Sequence, residues 1–169
     1  MTENKEIFVL DTSAILNGVA DLISPDNFVP PEVLDEIREG DLSRIIEYSG
    51  DLMNVASPSI RSIESVRSAA ERTGDLAKMS KTDIVVAALA LELKATVLSN
   101  DYCIQNVCSV LNVRFRGVSM KQIEKTVMWN YFCTGCGKRF DDHVSICPVC
   151  GHETKRRGKA IKGSRHVQA

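Results

Sequence analysis

The sequence predicts an α/β fold, a parallel central sheet with helices on both sides, followed by a small module stapled by metal. Three observations carry this. Short apolar runs alternate with helical patterns; "SKTDIVVAALALELKATVLSND" (residues 80–101) joins an apolar helix to an apolar strand; and Cys133, Cys136, Cys147 and Cys150 crowd a segment too short to build a core.

"IFVL" (7–10) suits a strand buried on both faces, and the Asp, Thr and Ser of "DTSAIL" favour a turn and a helix start. "NFVPPEVLDEIREG" reads as a strand end at 27–29, Pro31 in a first helical turn, and Gly40 as the stop. Residues 41–56 show no clear period. In "SPSIRSIESVRSAAERTG" (57–74), Ile60, Ile63 and Val66 recur at helical spacing before a closing Gly74. Ser80 opens a helix to Leu93 that is apolar nearly all round and therefore buried. "ATVLS" is a strand, "DYCIQNVCSVLN" a helix, "VRFRGVS" a strand and "KQIEKT" a short last helix.

At 44% hydrophobic and 25% charged, the 169 residues have the composition of an ordinary globular protein. The longest apolar run, Ile84 to Leu91, is eight residues, against the roughly 20 needed to span a bilayer. No membrane association is expected, and the polar start "MTENKEIF" shows no secretory signal, so a cytoplasmic location is expected. Charge divides the chain: residues 1–124 carry 12 Lys and Arg against 19 Asp and Glu, and residues 125–169 carry 9 against 3. An acidic body that holds cations and a basic end that contacts a polyanion would explain the split. The expected organisation is a body at 1–124, a four-cysteine ribbon with a short linker at 125–153, and a basic flexible tail at 154–169.

The cysteines form two C-x2-C pairs ten residues apart, each followed by Gly, a spacing that aims four thiolates at one point. Zinc is the expected ion; four thiolates also suit iron, and disulfides or a redox dithiol are the alternatives. His143 and His152 lie close by, but the thiolates already complete a tetrahedral shell. Cys103 and Cys108 read as small buried residues. Phe132 and Phe140 are expected to pack the module, and Trp129 and Tyr131 either to pack or to stack on bases.

Asp11 and Asp101 each follow an apolar strand, where ligands of an open parallel sheet collect. Asp83 falls in the first turn of the buried helix, and Glu36 in the second turn of the helix after Val29, with Glu32 and Asp35 as competitors. Each acid also has a plain explanation as a helix cap or a solvated side chain. Four carboxylates in one hollow cannot all stay ionised without cations, and oxygen ligands select Mg2+ or Mn2+.

"VLDTSAIL", "PEVLDEIRE", "SKTDIVVAALA" and "LSNDY" resemble, in order and spacing, the four acidic motifs of PIN-domain nucleases over residues 5–120. With the ribbon and basic tail the chain is similar to the Nin-one-binding (Nob) family of endonucleases, to which "DYCIQNVCSVLNV" is especially close. The resemblance implies a PIN-like three-layer α/β/α fold plus a zinc ribbon. It also implies a metal-dependent endoribonuclease that cleaves precursor small-subunit rRNA in a pre-ribosomal particle, leaves a 3′ hydroxyl and a 5′ phosphate, and has room for an assembly-factor partner. Its catalytic acids would be Asp11, Glu36, Asp83 and Asp101, with Asp11, Asp83 and Asp101 on Mg2+ or Mn2+. Ser13, Ser80 and Thr82 occupy supporting hydroxyl positions. Lys138, Arg139, Lys155, Arg156, Arg157 and Lys159 are the expected RNA contacts. Two other readings stay open: a non-catalytic RNA-binding assembly factor, and a toxin-like PIN ribonuclease acting on tRNA or mRNA. An aspartyl phosphatase needs a second Asp two residues after the first, where Ser13 stands.

Overall fold

Runs of Val and Leu too short for helices, bounded by Asp, Pro and Lys, form the strands. A computed structural model describes residues 6–17, 24–39 and 53–161. Its body contains β1 (Phe8–Leu10), α1 (Thr12–Leu16), β2 (Phe28–Val29), α2 (Pro31–Glu39), β3 (Asn54–Val55), α3 (Ile60–Thr73), a 3-10 turn (Leu76–Lys78), α4 (Lys81–Leu93), β4 (Thr96–Leu98), α5 (Tyr102–Val110) and β5 (Arg114–Arg116). These five strands pair in parallel in the order β3-β2-β1-β4-β5. The chain moves outward one way from β1 to β3 and the other way from β4 to β5, so β1 and β4 flank the switch point of the sheet. Right-handed crossovers then put α1 and α2 on one face and α3 to α5 on the other, the expected three layers.

The core lies on both faces of the sheet: Val9, Val29 and Val97 are wholly buried, as are Val86, Ala87 and Ala88 of α4. Eight of the thirteen residues of α4 are buried, as its all-round apolar character requires. Helix α3 starts on the Ser59 cap and ends on Gly74, whose left-handed conformation (φ 75°) favours glycine. One expectation fails here, and one strand lies where none was expected. Residues 121–126 form no helix: Thr126 already begins the next strand, and the little more than one turn left before it is too short to offset the cost of nucleation. Strand β3 falls in the stretch without clear period; two exposed residues leave no apolar signature. The expected stop at Gly40 lies outside the described residues.

The second sheet is antiparallel, in the order β7-β6-β8, from β6 (Thr126–Cys133), β7 (Arg139–Phe140) and β8 (Thr154–Ile161). It corrects the expected organisation twice. The tail does not begin at residue 154: Thr154 to Ile161 pair one for one with Cys133 back to Thr126. Residues 162–169 lie outside the described residues. Nor does a linker separate ribbon from body, because β6 is bonded to the body at its first residues. The Asn106 amide exchanges two hydrogen bonds with the backbone of Val127, both 2.7 Å, and Thr126 meets Ser109 hydroxyl to hydroxyl.

A buried ion pair completes the junction. Arg156 of β8 donates to Asp75 at 2.6 Å and to the Gly74 carbonyl at 2.8 Å, and lies 4.1 Å from the Trp129 ring centre. Asp75 is 1% exposed and also accepts from Asn106 at 2.6 Å. A Cβ on Gly74 would stand 2.6 Å from the Trp129 carbonyl oxygen, so glycine is needed there for close approach as well as for its φ. Removing one partner of such a pair strands the other charge. Arg156→Met, which leaves the Asp75 charge buried without its partner, is therefore expected to cost about 3 kcal/mol of unfolding free energy in urea melts of the zinc-loaded chain, with Asp75→Ala, which strands a guanidinium nearer the surface, costing less. A loss for Arg156→Met no larger than that of a surface substitution, about 0.5 kcal/mol, would show the pair to be idle.

Candidate active site and metal centre

Asp11 ends β1 and is 5% exposed. Its Oδ1 accepts the Thr12 N–H at 2.8 Å, capping α1, and its Oδ2 accepts the hydroxyls of Ser13 at 2.8 Å and Ser99 at 2.7 Å. The parallel register pairs Leu10 with Leu98, so the next residues, Asp11 and Ser99, stand side by side. Asp101 caps α5 through Oδ1, which accepts from Cys103 and Ile104 N–H at 2.6 and 3.2 Å. Asp83 forms a capping box with Ser80: Oδ2 accepts the Ser80 N–H at 2.6 Å, and the Ser80 hydroxyl accepts the Asp83 N–H at 3.1 Å.

On α2 the three acids separate cleanly. Glu32 faces Lys81 at 3.6 Å and Asp35 pairs with Arg38 at 3.3 Å, whereas Glu36 accepts the Thr12 hydroxyl at 2.6 Å, beside Asp11. Among the described residues Asp11, Glu36, Asp83 and Asp101 form no ion pair with Lys or Arg. Asp83 keeps Oδ1, Asp101 Oδ2 and Glu36 Oε1 free of hydrogen bonds among these residues, so each is anchored by one oxygen and presents the other.

Electrostatics ties the three aspartates together. Burial raises the Asp83 carboxyl above its ordinary 3.8 against the pull of the two Ser80 hydrogen bonds, and the negative charges of Asp101 and Asp11 raise it further. The acids do not crowd to a single ion's ligand spacing: among the described residues only the cysteine quartet has all its ligand atoms within 4.8 Å of one another. Mutual repulsion favours that wider stance, which suits an ion held partly through water, as Mg2+ commonly is.

Of the supporting hydroxyls, Ser13 and Ser80 bond to site acids, while Thr82 is buried and bonds to none of them. Ser99 and Asn100 are further site residues. The Ser99 hydroxyl also accepts the Asp101 N–H at 3.0 Å, linking two of the acids, and the Asn100 N–H donates to the Ser13 hydroxyl at 3.1 Å. Their signal in the sequence is position: both lie in "SND", directly after β4.

The four ribbon cysteines are unpaired thiols whose nearest sulfurs are 3.2 Å (Cys133, Cys150) and 3.7 Å (Cys136, Cys147) apart. A disulfide would need about 2.05 Å, and a four-thiolate zinc shell with bonds of about 2.3 Å has edges near ~3.8 Å. The donor set therefore fits zinc. Gly137 and Gly151, at φ 72° and 73°, close two matching knuckles. Burial raises the Cys133 thiol, but hydrogen bonds from Cys136 N–H, Cys150 and Gly135 N–H outweigh it and bring it down to about 6. His143 packs edge-on against Tyr131, and the His152 ring lies over Gly135, so neither joins the quartet. In the body, burial pushes Cys103 and Cys108 up to about 12, which makes both inert.

Among the expected RNA contacts, Arg156 is a correction: its guanidinium is committed to Asp75, Gly74 and Trp129, because β8 turns it inward. Lys155, Arg157 and Lys159 alternate with it and are exposed on the opposite face. Their partners there are Phe132, Asn130 and Met128, and Arg139 of β7 lies opposite Phe132. Lys138 sits over Phe140, 5.8 Å from its ring centre.

An open parallel sheet with carboxylates at its switch point and a basic thiolate ribbon appended is the layout of a metal-using hydrolase of polyanions. The family described as PIN domain of ribonuclease matches residues 8–93. Ribonuclease VapC1 of Thermoplasma acidophilum is 43% identical over 150 residues, 89% of this chain and 77% of its own. Endoribonuclease Nob1 is 40% identical in Archaeoglobus fulgidus, over 88% of this chain and 89% of that one, and 36% identical in Pyrococcus abyssi, over 87% and 91%. The crystal structure of VapBC2 from Rickettsia felis bound to a DNA fragment from their promoter superposes with TM-score 0.50 over 66% of this chain and 98% of that one; at 16% identity it shows the fold alone. The chain belongs to the PIN-domain ribonucleases and is an endoribonuclease. Nucleases of this family depend on divalent metal. Among the described residues no helix is long and apolar enough to cross a membrane.

Two outcomes check the site. With its pKa raised in the folded state, Asp83 stabilises the fold most when protonated, below 3.8, and that contribution is lost as pH rises through its higher folded value. At neutral pH its charge is a liability. Asp83→Asn, which keeps an acceptor for Ser80, is expected to raise the melting temperature of zinc-loaded protein in buffer without Mg2+ or Mn2+; a lower one would mean that the charged cap on Ser80 outweighs burial and the repulsion from Asp101 and Asp11. Cys147→Ser is expected to lose the ion that wild type releases, one zinc per chain, on titration with an organomercurial in the presence of a metallochromic dye.

Proposed function

We propose that this endoribonuclease cleaves precursor small-subunit rRNA to generate its mature 3′ end, acting in the cytoplasm on a pre-ribosomal particle with an assembly factor as a further partner. The observation that supports this most is the reach of the likeness to Nob1 endoribonucleases, 32% to 40% identical. A match over 90% of 169 residues, as with that of Methanocaldococcus jannaschii, cannot end before about residue 152, so it spans the ribbon as well as the acidic domain.

In this reading Asp83 and Asp101 would hold Mg2+ or Mn2+ through the oxygens their caps leave free, Asp11 would do so through a lone pair left on its hydrogen-bonded carboxylate, and the four cysteines would hold zinc. The Mg2+ or Mn2+, when bound, polarises the phosphoryl oxygens and lowers the pKa of a bound water. Ser13 and Ser99 fix the Asp11 carboxylate so that the site is set before RNA arrives. Glu36, exposed and steadied by Thr12, aligns the attacking water, and no side chain need form a covalent intermediate. Lys155, Arg157, Lys159 and Arg139 supply phosphate contacts that offset repulsion between RNA and the acidic body, and Phe132, under Arg157 at 5.3 Å, adds a stacking surface. The relative named Ribonuclease VapC1, whose match is equally long, keeps a second substrate in view, an RNA other than rRNA.

Zinc-loaded protein with Mn2+ is expected to make a single cut in an RNA spanning the 3′ end of precursor small-subunit rRNA and to spare tRNA. Asp11→Asn should make none while keeping its circular dichroism spectrum, and Ser99→Ala should be slowed about 10- to 100-fold. Equal cutting of tRNA would favour the second substrate. Undiminished cutting by Asp11→Asn would reject the site, and RNA binding without cleavage by wild type would leave a non-catalytic assembly factor.

A further inference from the structure

Next to Asp101 lies a feature the cleavage chemistry does not use. Tyr102, the first residue of α5, is 47% exposed, and its hydroxyl has no hydrogen bond among the described residues. Its ring lines a depression of about 270 Å³ whose other walls are Lys121, Gln122, Ile123 and Glu124. This is smaller than the roughly 300 Å³ at which pockets for whole small ligands begin, and suits a single ring entering from an extended chain.

The far wall has no regular secondary structure, yet it is held firmly. Asn100 Oδ1 accepts the N–H groups of Val118, Ser119 and Met120 at 2.9, 3.1 and 3.2 Å, and its amide donates to the Ser119 hydroxyl at 2.8 Å. Gln105, wholly buried, donates to the Ser99 carbonyl and accepts from Ile123 N–H, both at 2.9 Å. Asn100 in turn donates through its N–H to Ser13, which donates to Asp11. One hydrogen-bonded chain therefore runs from the Asp11 carboxylate to the wall of the depression and keeps the two at a fixed spacing.

The lining has the chemistry for a nucleotide. An aromatic face stacks on any base, Gln122 offers both a donor and an acceptor to a base edge, and Lys121 offers a cation to phosphate. The Lys121 partner is Glu124, a pair with side chains 79% and 68% exposed, weak enough to exchange for phosphate.

We propose that Tyr102 and the 121–124 wall form a base-binding subsite that stacks the nucleobase flanking the scissile phosphate and so sets which bond is cut. The inference rests on the endoribonuclease reading above and adds a determinant of cleavage register. A planar base, rather than an apolar side chain of a protein partner, is the occupant the fixed spacing to the acids favours.

The test uses zinc-loaded full chain and single-stranded RNA oligonucleotides carrying 2-aminopurine at each position in turn. Without Mg2+ or Mn2+, fluorescence should be quenched at one position on binding to wild type or Tyr102→Phe, and not on binding to Tyr102→Ala. With Mn2+, Tyr102→Ala should raise KM about 10-fold with kcat little changed, and spread cutting over neighbouring bonds. An abasic nucleotide at the quenched position should do the same to wild type, and combining it with Tyr102→Ala should add nothing. Quenching at no position, quenching that survives in Tyr102→Ala, or an abasic substrate cut as well as its parent each overturns the subsite. The abasic arm decides even if Tyr102→Ala fails to fold. Absence of any cutting by wild type would count against the nuclease reading alone, since the quenching arm needs no metal.

Discussion

The parallel register of β1 on β4 is the constraint from which the site follows. Three consecutive pairs, ending at Leu10 with Leu98, are fixed by burial. With both faces of the sheet buried, a slip by one residue would draw a polar flank, Asp11 or Ser99, into the apolar ladder. Because the pairing stops at the same level on both strands, Asp11 and Ser99 emerge together, and the Asp11 N–H closes the ladder on the Leu98 carbonyl at 3.1 Å. Apolar packing thus places a hydroxyl beside a carboxylate, where charged groups alone would drift apart. The same turn carries Asp101 two residues on, with Ser99 bonded to both acids.

Capping and the proposed ion binding are two uses of the same acids. Asp11 and Asp101 cap helices and Asp83 stands in the first turn of a third, where backbone N–H groups favour negative charge. The caps fix each carboxylate by one oxygen, which limits rotamer freedom, and leave the other oxygens of Asp83 and Asp101 outward. Burial raises the Asp83 pKa, the Ser80 hydrogen bonds at its helix end offset part of that, and the added repulsion from Asp101 and Asp11 is what a divalent cation would relieve.

Period and punctuation made most of the body legible. Ser59 and Gly74 bracket α3, Ser80 opens α4, and β4 lies inside "ATVLS". Three things escaped, each for a physical reason. Strand β3 is two exposed residues held by backbone pairing alone, so no side-chain pattern marks it. Residues 121–126 have helix-forming composition, but the next strand takes the last of them, and the single turn left cannot offset the cost of nucleation. Strand β8 carries Lys, Arg and Gly where a buried strand would carry Val and Ile; pairing to β6, not burial, makes it a strand. In the candidate site, Asp11, Asp83 and Asp101 stand out by their positions after strands and at helix starts, whereas only the contact with Thr12 separates Glu36 from Glu32 and Asp35. Ser99 and Asn100 were not singled out, because their work depends on which strand lies alongside.

Strand β8 also explains why Arg156 had to be misread. Composition shows six basic residues after residue 153, but period 2 divides them between two faces, and only the partner strand decides which face meets the body. Arg156 shares its face with Trp129 and Tyr131 and turns towards Asp75; Lys155, Arg157 and Lys159 turn away from it. One strand therefore does two jobs. Its inward residue fastens the ribbon to the body beside α3, and its outward residues present a basic face whose position relative to the acids is then fixed. In the proposed reading an RNA would lie across both, and that fixed spacing would decide which phosphodiester reaches the acids, as the wall beside Tyr102 would at closer range.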